Sequence, residues 1–298
     1  MNPTLQKTLV FSGLVPDSVN RTGEYRLDAS GKGVNVCRVL TQLGKEACHL
    51  TQLGGALRPL FLELCEKDGL RIEWVESSSP IRFCYTLIDK EQRTVTELVE
   101  ESEKVGKHTG ELLFETFSKL IPDYSVLIIS GTKAKGFPDS LIPEMVIKAR
   151  LLGCRVILDV RGIDLHNGLL FGPEVVKPNL FEFVSTFAPE LLSEKNAETV
   201  KKKVGEIWAE LYKRHPFSAL VLTRGTEPIW YAEKGELAEY AFESVEPLNT
   251  TGSGDAFTAG LAAALEEGAS LAEALAEGVR CGALNATLLK PGVIRQEP

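Results

Sequence analysis

The sequence predicts an α/β fold with a mostly parallel central sheet, and three observations support this prediction. Near-continuous runs of Val, Ile and Leu recur in the second half of the chain, at 126–130, 156–160, 175–177 and 219–223. Such runs are typical of parallel strands that are covered on both faces. Each run ends near Gly, Asp, Asn or Thr, and polar residues collect beyond the C-terminal ends of strands in open α/β sheets. Helix-prone segments such as 140–152 separate the runs, as βαβ winding requires.

The composition is that of an ordinary globular protein, with 44% hydrophobic and 25% charged residues. With 298 residues the chain can bury one large core, although length alone permits two domains. No apolar run approaches the ~18 residues of a membrane span, and the first residues lack a signal-peptide pattern. We therefore expect a cytoplasmic protein without a membrane partner. The net charge of -8 argues against nucleic acid as a partner, and the six scattered cysteines are expected to be free thiols.

A glycine-rich stretch, Asn-Thr-Thr-Gly-Ser-Gly-Asp at 249–255, precedes an Ala-rich, helix-prone segment. At such a helix entrance the free backbone N–H groups and the helix dipole favour an anion. Glycines at 252 and 254 let the backbone approach that anion closely. Asp255 beside it is suited to accept a proton from a substrate hydroxyl, the second function that phosphoryl transfer needs. The alternative is that Asp255 only caps the helix and that the glycines only shape a turn.

This stretch closely resembles the C-terminal signature of the PfkB family of carbohydrate kinases, within the ribokinase-like group. The resemblance implies that Gly252, Ser253 and Gly254 form the anion hole for the transferred phosphoryl group and that Asp255 is the catalytic base. It implies ATP and Mg²⁺ as cofactors. It also implies a ribokinase-like three-layer sandwich, with a mostly parallel central sheet and a small β-sheet lid.

The resemblance further predicts how the domain is organised. We expect a single kinase domain over residues 1–298, with the lid formed by about 8–28 and 81–104. Turn signals within 7–28 favour short strands there. In relatives this lid folds over the sugar and often mediates dimerisation, so a homodimer through the lid is expected.

The first residues carry Asn2-Pro3, which matches an Asn-Pro-x-x-Asp motif of the phosphosugar kinases in the family. Gln6 stands where that motif has the Asp that binds sugar hydroxyls. Its amide can still form hydrogen bonds with a sugar, without charge. In the family a core strand precedes this motif. Here either the numbering begins inside the domain or the protein lacks that strand.

The segment 29–44 is the second informative stretch. Val36, Val39 and Leu40 recur at helical spacing, and Gly31-Lys32-Gly33 lies at the helix entrance. The segment resembles the N-terminal signature of the family, which implies that Gly31, Lys32, Gly33 and Asn35 contact the sugar. Taken alone, Gly-Lys-Gly before a helix is weak evidence for a ligand site, and the spacing is not that of a Walker A loop.

Two strand-like runs at 82–89 and 94–99 are expected to form a hairpin that completes the lid. Arg82 aligns with a family position where an arginine holds the phosphate of a phosphosugar, a role that suits a guanidinium group. The alternative is a solvated strand arginine. Candidate phosphate ligands also follow the core strands, at Lys133, Lys135 and Arg161.

The string Lys177-Pro178-Asn179-Leu180-Phe181-Glu182 resembles the Lys-Pro-Asn-x-x-Glu motif of the family. The resemblance implies that Lys177 and Asn179 contact the nucleotide and that Asn179 and Glu182 position Mg²⁺, through water. Alternatively, Asn179 caps a helix and Glu182 is its capping-box acid, and both roles can hold together. By the same resemblance, Thr223 and Gly225 contact nucleotide phosphates and Asn285 lines the adenine pocket. The alternative for Asn285 is helix packing.

These features predict an ATP-dependent sugar-phosphate kinase. Asn2-Pro3, the Asn-Val-Cys-Arg helix and Arg82 are most similar to the branch that phosphorylates fructose 1-phosphate or tagatose 6-phosphate. Fructose 1-phosphate is the favoured substrate, with fructose 1,6-bisphosphate as product, although Gln6 leaves room for an unphosphorylated acceptor. A tagatose-6-phosphate kinase or another sugar kinase of the family is the alternative. A different class also stays open, namely a catalytically weak regulatory protein that binds sugar phosphate and nucleotide.

Overall fold

A computed structural model describes residues 1–216 and 218–296. The strands are β1 Thr4–Phe11, β2 Glu24–Ser30, β3 Cys48–Leu53, β4 Arg71–Glu76, β5 Arg82–Asp89, β6 Thr94–Val99, β7 Val126–Ser130, β8 Arg155–Asp159, β9 Val175–Val176, β10 Ala219–Arg224, β11 Glu227–Ala232 and β12 Ala238–Tyr240. The helices are α1 Lys32–Gln42, α2 Arg58–Lys67, α3 Thr109–Leu120, α4 Leu141–Leu151, α5 Gly162–Leu169, α6 Leu180–Phe187, α7 Ala197–Arg214, α8 Ser253–Glu266 and α9 Leu271–Ala286.

The largest sheet has the order β12-β11-β10-β9-β8-β7, in which β7 to β10 are parallel and β11 and β12 are antiparallel. Side chains of β8 alternate between its faces, as the pleat requires. Val156 and Leu158 pack into a core with α3 to α7, whereas Ile157 packs into a second core with α8 and α9. The sheet is therefore covered on both faces, as its apolar runs predict.

The lid is a second sheet of order β2-β1-β5-β6. Its first strand begins at Thr4, because Thr4 pairs with Ser30 on one side and with Arg82 on the other. Residues 12–23 contain no strand. Instead, backbone-to-side-chain hydrogen bonds such as Leu14 N–H to Asp89 hold that loop. The lid strands thus start earlier than about residue 8, and they leave out the turn-rich half of 8–28.

A third sheet contains only the parallel strands β3 and β4. Residues 48–50 of β3 and 126–130 of β7 line a cavity of about 590 Å³, together with residues of α1, α3 and α8. Strands β3 and β7 belong to separate sheets. The first strand of the described chain lies in the lid and not in the central sheet.

Helix α1 connects the lid to the core and positions the residues discussed below. Its Val34 and Cys37 pack against Leu5 and Ala29 of the lid sheet, in a cluster that includes α2. Its opposite side packs through Val36 and Val39 against Ala256 and Ala259 of α8. The Gly-Lys-Gly entrance of α1 and the glycine-rich entrance of α8 are thereby held close together. Within the described residues, no helix is both long and apolar enough to cross a bilayer.

Candidate active site

The glycine-rich loop enters α8 with Gly252 as the N-cap residue, at φ 86. A β-carbon at Gly252 would lie 2.6 Å from the backbone nitrogen of Gly292, so glycine is required both by conformation and by space. The next glycine, Gly254, has open space around it. In the described structure the backbone N–H groups of Gly254 and Asp255 have no protein acceptor, as is usual for a first helical turn. The loop can therefore receive an anion.

Asp255 is buried at the start of α8, and its Oδ2 accepts a hydrogen bond of 2.8 Å from Nδ2 of Asn35 on α1. Burial raises the pKa of Asp255 to about 7, although nearby Lys32 acts to lower it. Asp159 adds to the rise, whereas the Asn35 hydrogen bond and Lys177 oppose it. A carboxylate with a pKa near neutrality is well matched to act as a general base at physiological pH.

Two lysines and two carboxylates form a cluster beside Asp255. Lys32 Nζ lies 3.1 Å from Oε1 of Glu182 and 3.4 Å from Oδ1 of Asp159, and Lys177 Nζ lies 3.5 Å from the same Asp159 oxygen. Burial alone would lower the pKa of Lys32, but Asp159 and Glu182 raise it above its usual value. Lys32 therefore stays cationic next to the loop that can receive an anion.

Asp159 was not among the site residues predicted from the sequence. Its Oδ2 accepts hydrogen bonds from the hydroxyl groups of Ser130 and Thr258, which lie on β7 and α8. Burial would raise its pKa, but Lys177 and Lys32 hold it below the usual value. The available signal was its position as the polar last residue of an apolar strand, which is where ligand sites of parallel sheets lie.

A cavity of about 380 Å³ lies between the lid and the core. Arg82 and Glu97 line it from the lid, and Gly31, Lys32 and Gly33 line it from the entrance of α1. Asn2, Asp159, Arg161 and Glu182 are among the other lining residues, as is Ser130 at the end of β7. The cavity thus brings together the Gly-Lys-Gly segment, the lid arginine and the ends of two core strands.

Of the three loop cations considered from the sequence, only Arg161 lines this cavity. It forms no ion pair or hydrogen bond with any residue that the structure describes, so its guanidinium group is available to a ligand. Lys133 lies 2.6 Å from Asp164 and donates to the backbone of Pro138. Lys135 faces Glu101 at 3.9 Å. Their surroundings assign these lysines to local ion pairs.

Gln6 and Arg82 differ in their access to the cavity. Gln6 is buried within the lid, where its Nε2 donates to the Thr86 hydroxyl at 2.7 Å, and it does not line the cavity. The predicted sugar contact of Gln6 is therefore not favoured by its position. Arg82 lines the cavity, while its Nη1 donates to the backbone oxygen of Glu100. Its buried Nε has no partner among the described residues.

The Asn-x-x-Glu segment forms the capping box that was one of the two alternatives. The Glu182 N–H donates to Asn179 Oδ1 at 2.8 Å, and the Asn179 N–H donates to Glu182 Oε2 at 3.0 Å. The other carboxylate oxygen of Glu182 meets Lys32. Among residues 1–216 and 218–296, no group of three or more His, Cys, Asp or Glu side chains could hold a metal. The amide oxygen of Asn179 and the carboxylate oxygens of Glu182 are of the donor type that Mg²⁺ accepts, directly or through its water ligands.

The remaining predicted nucleotide contacts differ in exposure. Thr223 lies at the end of β10 and forms a parallel bridge with Asn179, and Gly225 follows in an exposed turn at φ 65. By contrast, Lys177 is almost fully buried against Phe257. Asn285 is fully buried, and its amide donates to the backbone oxygens of Lys290 and Val293. For Asn285 these contacts favour the packing alternative over a direct nucleotide contact.

Comparison with known proteins gives consistent results. The profile of a family described as pfkB family carbohydrate kinase matches residues 6–296. The chain is similar to tagatose-6-phosphate kinase of Staphylococcus epidermidis, with 25% identity over 299 positions that cover 100% of this chain and 94% of the relative.

Solved structures with similar folds include a possible 1-phosphofructokinase from Thermotoga maritima, with TM-score 0.84, 20% identity and coverage of 97% of this chain and 91% of that chain. Phosphofructokinase-2 from Escherichia coli, in complex with substrates and products, matches with TM-score 0.83 and 21% identity, and the match covers 96% of this chain and 91% of that chain. Ribokinase from Thermotoga maritima matches with TM-score 0.71 and 19% identity, and the match covers 98% of this chain and 92% of that chain. The predicted ribokinase-like α/β fold is confirmed by these likenesses.

Proposed function

The chain belongs to the pfkB family of carbohydrate kinases and is an ATP-dependent kinase, and on this basis we propose that it phosphorylates fructose 1-phosphate to fructose 1,6-bisphosphate. The observation that carries the proposal is the buried Asp255 carboxylate, with a pKa of about 7, at the entrance of the glycine-rich loop. A base and an anion site in adjacent positions are what phosphoryl transfer to a hydroxyl requires.

The acceptor is proposed to carry a phosphate because of the cations in the cavity between lid and core. Arg82 and Arg161 line it, and Arg161 has no partner in the described part of the chain. Guanidinium groups recognise phosphate oxygens through paired hydrogen bonds. An unphosphorylated sugar would leave the two arginines without such a partner, which supports a sugar phosphate as substrate.

In the proposed mechanism, Asp255 takes the proton of the acceptor hydroxyl while the Gly252–Gly254 loop stabilises charge on the transferred phosphoryl group. The N–H groups of Gly254 and Asp255 are the available donors, because the Ser253 N–H donates to the Thr250 backbone oxygen. Lys32 adds a fixed positive charge between the acceptor cavity and this loop. Mg²⁺, held through water by Asn179 and Glu182, would neutralise charge on the ATP phosphates. Thr223 and Gly225, next to Asn179, are the proposed contacts to nucleotide phosphates.

The test is a screen of sugars and sugar phosphates for ADP formation and for the phosphorylated product, with wild type and Asp255→Asn side by side. We expect the highest kcat/KM with fructose 1-phosphate. Turnover of unphosphorylated sugars alone would show that the acceptor class is wrong. Equal background rates in both proteins would instead support the alternative of a regulatory binding protein.

Tagatose 6-phosphate is the second candidate acceptor, because of the similarity to the staphylococcal tagatose-6-phosphate kinase over the whole chain. The two substrates carry phosphate at opposite ends of the sugar and are phosphorylated at the other end. The ratio of their kcat/KM values in the same screen decides between them.

A homodimer through the lid is the proposed assembly. Strand β6 is exposed along its length, and Leu98 places apolar surface on the face opposite Glu97 and Val99, which line the cavity. Exposed apolar surface of this kind is typical of interaction sites. Leu98→Glu should convert a dimer into a monomer in light scattering, whereas a monomeric wild-type protein would contradict the proposed assembly.

A further inference from the structure

A buried arginine on α1, Arg38, is the last residue of the Asn-Val-Cys-Arg segment and has no role among the site residues described above. It is 1% exposed and is one of the largest fully buried side chains of the protein. Its Nε lies 2.8 Å from Oδ2 of Asp68, and its Nη2 donates to the backbone oxygen of Ala29. A buried guanidinium group is costly unless its donors are matched in this way, and apolar residues of similar volume often pack at least as well. A purely structural role does not require such a group.

The third nitrogen of Arg38 connects it to the catalytic base. Nη1 donates to Oδ1 of Asn35 at 3.1 Å, and the Ser30 hydroxyl donates to the same oxygen at 3.1 Å. Two donors on Oδ1 fix which way the amide faces, because an amide has one oxygen and one NH₂ group. The NH₂ group is thereby directed to Asp255, whose Oδ2 it meets at 2.8 Å.

The same nitrogen also reaches the C-terminal loop that lies behind the anion site. Arg38 Nη1 donates to the backbone oxygen of Pro291 at 3.1 Å. The next residue, Gly292, places its backbone nitrogen 2.6 Å from where a β-carbon of Gly252 would be. One guanidinium group therefore contacts both the residue that orients Asp255 and the loop that supports Gly252.

We propose that Arg38 is a positioning residue for phosphoryl transfer, which orders Asn35 against Asp255 and the 290–293 loop against Gly252. The inference rests on the proposed function of Asp255 and assigns a role to a residue that touches neither substrate nor nucleotide. Asn35 donates to the charged form of Asp255 and so favours it. Losing that orientation should raise the pKa of the base, while Lys32, Lys177 and Asp159 continue to act on it.

The test compares Arg38→Met and Arg38→Lys with wild type by the pH dependence of kcat/KM. We expect the acidic limb to move to higher pH, with a loss at acidic pH of about tenfold for each unit of movement. Arg38→Lys should show the same direction, because an ammonium group cannot reproduce the fork that reaches both Asn35 and Pro291. If Arg38→Met does not fold, Arg38→Lys alone still tests the proposal.

Phe61→Leu is the matched control for lost packing, because Phe61 is fully buried in the same lid-side core as α1 and is apolar. It should lower stability without moving the acidic limb. If the Arg38 variants lost kcat/KM by the same factor at every pH, as Phe61→Leu would through lost stability, the proposal would be overturned.

A double-mutant cycle with Asn35→Ala tests the route of the effect. Arg38→Met should no longer move the acidic limb in that background, and a movement that persists would contradict the route through Asn35. A ¹³C NMR titration of the Asp255 carboxyl group, assigned with Asp255→Asn, gives a readout that does not depend on turnover. A wild-type protein without kinase activity would therefore refute the proposed function and leave the Arg38 effect separately measurable.

Discussion

Asp255 is held under opposing influences, and their balance gives it a proton affinity suited to catalysis. Burial raises its pKa to about 7, while Lys32 and the Asn35 hydrogen bond prevent a larger rise. A fully solvated carboxylate would be a weak base at neutral pH, and a more isolated one would stay protonated. The residues around Asp255 are thus part of its chemistry.

The first prediction concerns transfer by Asp255→Asn, which keeps the shape of the side chain and removes its ability to take a proton. We expect kcat to fall by about 10²–10⁴-fold, the usual contribution of a general base, with little change in KM for ATP. For wild type, kcat/KM should rise with pH through about 7, the pKa of Asp255. Initial rates between pH 5.5 and 9 measure both effects. A variant with wild-type rates would exclude Asp255 as the base.

The second prediction concerns stability, because a raised pKa in the folded chain makes the charged carboxylate destabilising. Unfolded aspartate has a pKa near ~3.9, so between that value and about 7 the folded chain holds an extra proton. The free energy of unfolding should fall as pH rises through this window. Asp255→Asn cannot ionise and should gain stability relative to wild type from pH 4 to pH 8. Urea unfolding at both pH values measures this difference, and a difference that does not change with pH would refute it.

At the scale of elements, the entrance of α6 combines a structural and a functional task. Asn179 and Glu182 cap the helix reciprocally, and Glu182 also meets Lys32 beside the anion loop. Helix α9 has the same kind of capping box, formed by Ser270 and Glu273, on an exposed surface. The chain therefore contains one capping box in the candidate site and a second one that serves as an internal reference.

The third prediction compares the capping boxes of α6 and α9. Glu182→Gln keeps a residue that can complete a capping box but removes the charge next to Lys32 and the proposed Mg²⁺ position. We expect a loss of stability, because Glu182 is buried and its removal leaves Lys32 with one carboxylate fewer. We also expect a large fall in kcat and a higher Mg²⁺ requirement. Glu273→Gln changes an exposed capping box, so it should alter stability only slightly and leave the kinetics unchanged. Equal kinetics for the two variants would show that Glu182 only caps α6.

Several elements were predictable from the local sequence pattern. The start of β1 was misplaced because contacts from distant parts of the chain determine it. The apolar runs predicted β7, β8 and β10, of which β8 and β10 are buried on both faces and β7 is mostly half-buried. The start of β1 was placed too late, because Thr4 is held in the sheet by Ser30 and Arg82 from distant parts of the chain. The capping box at Asn179 was predictable because its partners are three residues apart.

At the scale of the whole molecule, the sequence predicted which motifs matter but not how they are connected. Asp255 and the Gly-Lys-Gly helix were predicted as separate site elements. Their junction, the Asn35–Asp255 hydrogen bond, joins residues that are 220 positions apart. Asp159 belongs to no motif noted for function, and Arg38 was noted only as part of the Asn-Val-Cys-Arg segment, without a role of its own. The packing of β8, α1 and α8 shows what the two residues contact. Such links depend on tertiary structure, so sequence spacing does not reveal them.

The lid and the core meet at another such link. The Thr251 hydroxyl, in the glycine-rich loop, donates to Oε1 of Glu97 on β6 at 2.9 Å. Arg93 and Glu246 form a second bridge at 3.1 Å, with both side chains about 80% exposed. Exposed pairs contribute only about 0–1 kcal/mol. The β6 side of the lid is therefore held to the core more weakly than the β1 and β2 side, which packs on α1 through buried apolar residues. Such an arrangement would let the β6 side open and close over a substrate.

The fourth prediction is that the Thr251–Glu97 hydrogen bond couples lid closure to productive transfer. Glu97 lines the acceptor cavity, so a lid that closes onto the anion loop should exclude water from the transferred phosphoryl group. Thr251→Val keeps the shape of the side chain and removes the donor. We expect it to raise ADP formation relative to sugar product, with the folded protein otherwise unchanged. Arg93→Ala is the control, because it removes the exposed bridge outside the cavity and should leave that ratio at the wild-type value. A ratio that is the same in wild type and Thr251→Val would mean that closure does not depend on this bond, and that the lid excludes water through its other contacts with the core.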